Sequence, residues 1–287
     1  MSRILVTGAT GHLGQAVIAH LLKSTAPGQI VALARDKNKS KDFTDKDIEV
    51  RIGDFDDTVS LDKAMQGISK VLLISAMEMR RFQQHKNVVD AARAAGVRHI
   101  IYTSVAIRDV NTSVIKPFME SHFQTEDYIK ESRLSYTILR NSIYADVIPV
   151  FAGENVLEKG IYLPAGDGKT SFITREELAE ATAKVLTTDT HENKTYSLTN
   201  VETYTWPVIA QVLSEIAGKE IGYHSPGFED YVNSLMEAGV PANYVQMVSG
   251  FALAISKDEF NLVSDDLEQL LGRKPASLSV YLKQVYQ

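Results

Sequence analysis

The chain has 287 residues, 44% apolar and 23% charged, the proportions of an ordinary globular protein of one large unit or one unit with a smaller companion. Acidic residues outnumber basic ones by 36 to 30, a formal charge of −6, which argues against a nucleic-acid partner. With no cysteine, disulfides, thiolate catalysis, zinc–thiolate sites and iron–sulfur clusters are excluded together.

The opening "MSRILVTGATGHLG" has no signal-peptide stretch, and no run reaches the roughly 18 apolar residues of a membrane span. The expectation is a cytoplasmic protein without a membrane partner. "RILVTG" predicts a strand, and "HLGQAVIAHLL" a helix with Leu13, Val17 and Leu21 on one face. "QIVALAR" and "IEVRIGD" predict two more strands. "TVSLDKAMQG" predicts a helix with a Thr or Ser start and a Gly stop. "KVLLIS", "RHIIYTS" and "LSYTILRN" predict further strands, separated by the helix "RRFQQHKNVVDAARAAG", which Gly96 closes. Strands that are apolar throughout are buried on both faces, so the alternation predicts an α/β fold with a doubly wound parallel sheet.

Beyond Asn141 the pattern changes. Thr174 and Glu177 form a capping box at a helix start, and "KTYSLTN" predicts one more strand. Helices dominate from Trp206 on, with stops at Gly218, Gly239 and Gly272 and Pro241 at a start. The division expected is a dinucleotide-binding unit at 1–150 and a smaller, mostly helical substrate-side region at 151–287. Part of 165–200 is expected to pack back on the sheet.

"VTGATGHLG" places Gly8, Gly11 and Gly14 between the first strand and the first helix. Gly8 allows the tight turn, Gly11 lets backbone approach a pyrophosphate, and Gly14 lets helix and strand pack closely. The helix start offers free N–H groups and a positive dipole end. This is the context of a Rossmann-type nucleotide site, with Gly8, Thr10, Gly11, His12 and Leu13 as its phosphate contacts. A tight turn without ligand is the plainer alternative. Where NAD-selective proteins carry an acid at the second strand's end, this chain has Arg35, which suits a 2′-phosphate. Lys37 and Lys39 add charge. NADP(H) is therefore expected over NAD(H), although Asp36 offers the opposite reading and "RDKNKSKD" could be a solvated loop. In "GDFDD", Asp54 is placed either to accept from an adenine amino group, with Phe55 along the ring, or to cap the next helix.

With these residues placed, the chain resembles the short-chain dehydrogenase/reductase superfamily, and within it the atypical NmrA-like branch, close to its reductases of quinones and triphenylmethane dyes. "AARAAGVRHIIYTS", "HFQTEDYI", "YTILRNSIYAD", "THENKTYSLTN" and "DDLEQLLGRKP" extend the likeness over nearly the whole chain. The resemblance favours the adenine role for Asp54. Ligands of open parallel sheets bind beyond the carboxyl ends of the strands, so Ser75 and Ala76 are expected to border the cofactor's ribose and pyrophosphate; the resemblance implies that Asn141, Ser142 and Tyr144 face the nicotinamide.

In the superfamily at large, a helix carries a Tyr that donates a proton and, four residues on, a Lys. Counting back from Glu126, those places hold His122 and Phe118. Phe118 donates nothing, and His122 is no permanent cation. That departure disfavours alcohol–ketone interconversion, where an alkoxide needs an acid. It favours a conjugated small-molecule acceptor, whose reduction gives a delocalised phenolate or no anion at all. His122 and Tyr144 are the candidate catalytic groups. Their plainer readings are a structural helix residue and a core aromatic. Met77, Met79, Phe118 and Phe151 are candidates for an apolar pocket or for plain core. No two histidines have metal-ligand spacing, so no metal is expected. "GDGKTSF" reads as a turn. The expectation is a reductase, monomeric or homodimeric. A nucleotide-occupied redox sensor is the alternative, and a sugar-nucleotide epimerase or dehydratase a third possibility weakened by the missing Tyr and Lys.

Overall fold

A computed structural model describes residues 2–76, 78 and 80–287. The expected strands form as β1 (Ile4–Val6), β2 (Ile30–Ala34), β3 (Glu49–Ile52), β4 (Lys70–Leu73), β5 (His99–Val105) and β6 (Ser135–Asn141). Two-residue β7 (Ile161–Tyr162), β8 (Lys194–Leu198) and two-residue β9 (Tyr223–His224) follow. Seven strands make one parallel sheet in the order β3-β2-β1-β4-β5-β6-β8. Ile4 of β1 pairs with Ile30 on one side and Lys70 on the other. The chain thus winds outward from β1 to β3, then returns to β4. That reversal opens a crevice at the carboxyl ends of β1 and β4, where ligands of such sheets bind.

The principal helices are α1 (His12–Leu21), α2 (Thr58–Ala64), α3 (Arg81–Ala94), α4 (Lys116–Glu131), α5 (Arg175–Thr187) and α6 (Trp206–Ala217). They continue as α7 (Phe228–Glu237), α8 (Ala242–Ser256), α9 (Asp266–Leu271) and α10 (Leu278–Tyr286). Leu13 and Val17 of α1 join Leu178 and Val185 of α5 and Leu267 of α9 on one face of the sheet. Leu61, Val88 and Ile129 bring α2, α3 and α4 to the other. A third apolar cluster gathers Trp206, Ile209, Val248 and Phe260 with Ile115, Met119 and Ile143, so it contains residues from both sides of position 150. The strand β8 lies alongside β6, placing a piece of the later sequence inside the main sheet.

Two helix starts differ from the sequence reading. Asp57, not Thr58 or Ser60, caps α2, its Oδ1 accepting from Val59 and Ser60 amides at 3.1 and 3.2 Å. A carboxylate one residue upstream reaches those amides better than a hydroxyl inside the first turn. At α5, the Thr174 hydroxyl accepts from the Glu177 amide at 3.2 Å as expected. The Glu177 carboxylate does not return to the Thr174 amide. It binds Arg273 Nη1 at 2.8 Å and the Ala276 amide at 2.7 Å, tying α5 to the C-terminal segment. Periodicity gave no sign of the small parallel pair β7–β9, whose strands are too short to show any. The 166–172 turn is a seat for that segment. A Cβ on Gly168 would lie 1.9 Å from the Ile255 carbonyl oxygen, and the Lys169 amide donates to Asp258 at 2.9 Å.

Candidate functional site

Gly8 turns the chain out of β1 at φ +59°, a backbone that L side chains rarely adopt. A Cβ on Gly14 would lie 2.3 Å from the Gly8 carbonyl oxygen, so helix α1 can touch the turn only with glycine there. The turn is held by the Gly11 amide donating to Gly8 O (2.9 Å) and Gln15 Nε2 donating to Thr10 O (2.9 Å). Gly11 caps α1 with no side-chain acceptor, and the first turn holds no acid. Its amides and positive dipole end are thereby left for an external anion. His12 is exposed, Thr10 is half-buried, and the Leu13 side chain is buried in the core, so Leu13 can contribute only its backbone.

Arg35 is exposed directly after β2, and no ion pair among the described residues uses it. Asp36 does not turn inward. Its Oδ1 accepts from the Asn38 amide at 2.8 Å and caps the short turn Lys37–Ser40. Asp54 uses one oxygen in a local turn, accepting from the Asp56 amide at 2.9 Å. The capping role suggested for it belongs to Asp57. Phe55 is half-buried, its ring edge-on to His85 with centroids 6.4 Å apart, and its carbonyl accepts from Asn87 Nδ2 at 2.9 Å.

At the strand ends, the Thr7 and Thr103 hydroxyls accept from the amides of Ile74 (3.0 Å) and Ser75 (2.9 Å) and fix the exit of β4. Ser75 Oγ and Asn141 Oδ1 are buried and have no hydrogen-bond partner. Ala76 is exposed beside Ser75. A buried polar atom left unpaired costs about 1–3 kcal/mol, so two at the mouth of one sheet fit a ligand that brings donors, as ribose hydroxyls and a carboxamide do. The Ser142 side chain is committed elsewhere, donating to Ser171 O at 2.5 Å.

Tyr144 belongs to the α1/α5 face of the sheet. Its hydroxyl accepts from Asn141 Nδ2 at 3.3 Å, and the Arg175 guanidinium lies 4.7 Å from its ring centre. Burial, above all, raises its pKa, which makes it a weak acid. His122 lies on the opposite face, buried, with Nδ1 2.9 Å from the Tyr102 hydroxyl. The two candidate catalytic residues are therefore not brought together. Burial first, and then the charge of Arg81, hold His122 well below the ordinary imidazole pKa, so the ring is neutral near pH 7. Tyr102 is fully buried, which raises its pKa strongly. The Ser75 hydroxyl is close enough to moderate that shift but lacks hydrogen-bonding geometry.

Tyr102, His85 and Arg81 did not stand out in the sequence. His85 Nδ1 lies 3.0 Å from Thr125 Oγ1, and burial followed by the Arg81 charge lowers its pKa to about 3. The signal available was the pair Arg81 and His85, one helical turn apart on the face of α3 that also buries Val88 and Val89. Glu126, used above to align the helix, is structural: it accepts from Arg140 Nε (2.9 Å) and Nη2 (2.6 Å) and from Ser104 Oγ (2.6 Å). Phe118 packs toward α8 beside Gly250, and Phe151 is buried against Trp206 with centroids 6.1 Å apart. Met77 and Met79 lie outside the described residues. Two clefts, of about 320 Å³ beside His20 and Lys184 and about 240 Å³ between Lys70 and His99 at the amino ends of the strands, are remote from these groups. Among the described residues, no group of three or more His, Asp or Glu could hold a metal ion, and no helix is long and apolar enough to cross a membrane.

A glycine turn with uncapped helix amides at the mouth of such a sheet is the setting of a dinucleotide site; the fold is that of a Rossmann-type nucleotide-binding protein. The chain belongs to the NmrA-like family, which matches residues 1–283. Quinone oxidoreductase 2 of Escherichia coli K12 is 34% identical over 278 residues, covering 96% of both chains. The crystal structure of triphenylmethane reductase from Citrobacter sp. complexed with NADP(H) is 40% identical, with a TM-score of 0.91 over 98% of this chain and 99% of that one. The Escherichia coli NADPH-dependent quinone oxidoreductase complexed with NADPH is 33% identical, with a TM-score of 0.93 over 99% and 100%.

Proposed function

We propose that this protein is an NADPH-dependent oxidoreductase that delivers hydride to quinones or similar conjugated acceptors without a Tyr/Lys pair on α4. The observation that carries the reading is the neutral, buried His122 beside Phe118, in a chain whose whole length is similar to quinone and dye reductases. Bound NADPH supplies the hydride. The amides at the start of α1 hold its pyrophosphate, and the Arg35 guanidinium its 2′-phosphate. Ser75 Oγ and Asn141 Oδ1, buried and unpartnered, would hold its ribose and carboxamide and so orient the ring. Residues 151–287 supply the acceptor side, with Phe118 as part of an apolar wall that excludes water.

This arrangement has no strong acid to offer. The His122 ring is neutral, Tyr102 is sealed behind it, and the Tyr144 hydroxyl is a weak acid on the other face. A quinone needs none, since hydride addition leaves a delocalised phenolate that water protonates. The same lack of an acid favours a second reading, a nucleotide-occupied sensor without turnover. NADPH consumption by the purified protein, with NADH in parallel, against quinones and cationic dyes separates them. Saturable turnover with NADPH preferred is expected. Tight NADPH binding with no turnover on any acceptor would make the sensor the better reading.

A further inference from the structure

Arg81 opens α3 and is 5% exposed. Its Nε donates to the Ala76 carbonyl at 2.6 Å, and its Nη1 donates to the Phe118 carbonyl and to Ser121 Oγ, both at 2.8 Å. All three acceptors are neutral. No ion pair among the described residues includes Arg81. Its buried titratable neighbours carry no charge: His85 and His122 are held neutral, and Tyr102 stays protonated. The charge of exposed Glu78 reaches Arg81 only as a screened attraction, and buried Glu126 is committed to Arg140 and Ser104. A cation is thus buried without an ion-pair contact among the described residues, and burying one is costly unless its charge is used.

The place of that charge is specific. Arg81 bridges Ala76, at the exit of β4, to the Phe118 turn of α4, the two segments that flank the reacting end of the crevice. It puts a positive charge close enough to His122 to add to burial in holding that ring neutral. We propose that Arg81 sets the charge preference of the acceptor site, favouring acceptors that gain negative charge on hydride addition over acceptors that are already cations. This deepens the hydride-transfer reading and rests on it. A neutral quinone takes hydride, two electrons and one proton, from the dihydronicotinamide, which is oxidised. The quinone becomes the hydroquinone monoanion, and water supplies the second proton. A cationic triphenylmethane dye takes the same hydride at its central carbon and becomes neutral. A fixed cation stabilises the first transition state and opposes binding of the second substrate.

At an effective dielectric of about 20, one charge near the acceptor is enough for a preference of about tenfold or more. The quantity to measure is the ratio of kcat/KM for a neutral naphthoquinone to kcat/KM for a cationic triphenylmethane dye. Arg81→Met should lower that ratio about tenfold, and Arg81→Lys should restore most of it. A purely structural Arg81 would lower both rates together and leave the ratio unchanged, which would overturn the proposal. If Arg81→Met does not fold, the wild-type protein decides. A sulfonated naphthoquinone and a neutral one should both outrun the cationic dye, and the reverse order overturns the inference. Absence of turnover on every acceptor, with NADPH bound, instead removes the hydride-transfer reading and this inference with it.

Discussion

The glycine turn and helix α4 face the same crevice but are built on different principles. At the turn, the chemistry is backbone: φ +59° at Gly8, no room for a Cβ at Gly14, and uncapped amides at the start of α1. At α4 it is side chain, drawn from three elements: Arg81 from α3, Tyr102 from β5, and His122 from α4 itself. A backbone site tolerates change at its exposed side chains and none at Gly8 and Gly14. A side-chain site can lose its usual acid and still be a site, provided the reaction stops needing one.

That contrast can be broken most severely at Gly14. Gly14→Val places atoms where the Gly8 carbonyl stands, and overpacking against fixed backbone costs about 3 kcal/mol or more. We expect a large drop in the urea midpoint together with loss of NADPH binding; a stable variant that binds normally would show that the turn can open. Next in size is Arg35→Ala. Loss of charge-assisted contacts should weaken NADPH by about 10- to 100-fold while leaving NADH nearly unchanged. Equal losses in isothermal titration would remove Arg35 from cofactor selection.

His122→Ala tests the side-chain region. It strands the buried Tyr102 hydroxyl, at about 1–3 kcal/mol of stability, and should lower turnover on quinones several-fold. Unchanged kinetics would take His122 out of the site. The smallest effect sharpens the comparison through pH. His85, with a pKa of about 3 in the folded chain against 6.5 in the unfolded one, binds its proton only after unfolding across that window. His122 is shifted in the same direction. The unfolded state therefore binds more protons, and stability should fall as pH drops below about 6.5, by up to about 1.4 kcal/mol per pH unit for each ring. His85→Gln should flatten that slope between pH 6.5 and 4.5 in urea titrations; an unaltered slope would assign the acid sensitivity elsewhere.

These differences also explain what the sequence disclosed. The sheet and the glycine turn were legible because apolar runs and glycines are local signals. The seat of Arg35 was legible because the strand end positions it, and the ambiguity at Asp36 closed only when its carboxylate was seen on the Asn38 amide. Tyr102 and His122 are 20 residues apart, and Arg81 and Phe118 are 37 apart. No spacing rule connects such pairs, because the fold alone makes them neighbours. The placing of Tyr144 was hidden for a related reason: it follows β6 closely in sequence, yet its ring turns to the face opposite His122.

The Gly168 turn bears on protein engineering. With the Ile255 carbonyl 1.9 Å from where a methyl would stand, and Glu177 gripping Arg273 and Ala276, two stretches of the later sequence, 166–177 and 255–276, are keyed to each other. A chimera between relatives with a crossover inside the later sequence should carry 166–177 and 255–276 from the same parent. A crossover between those segments would join halves whose keys and locks no longer match.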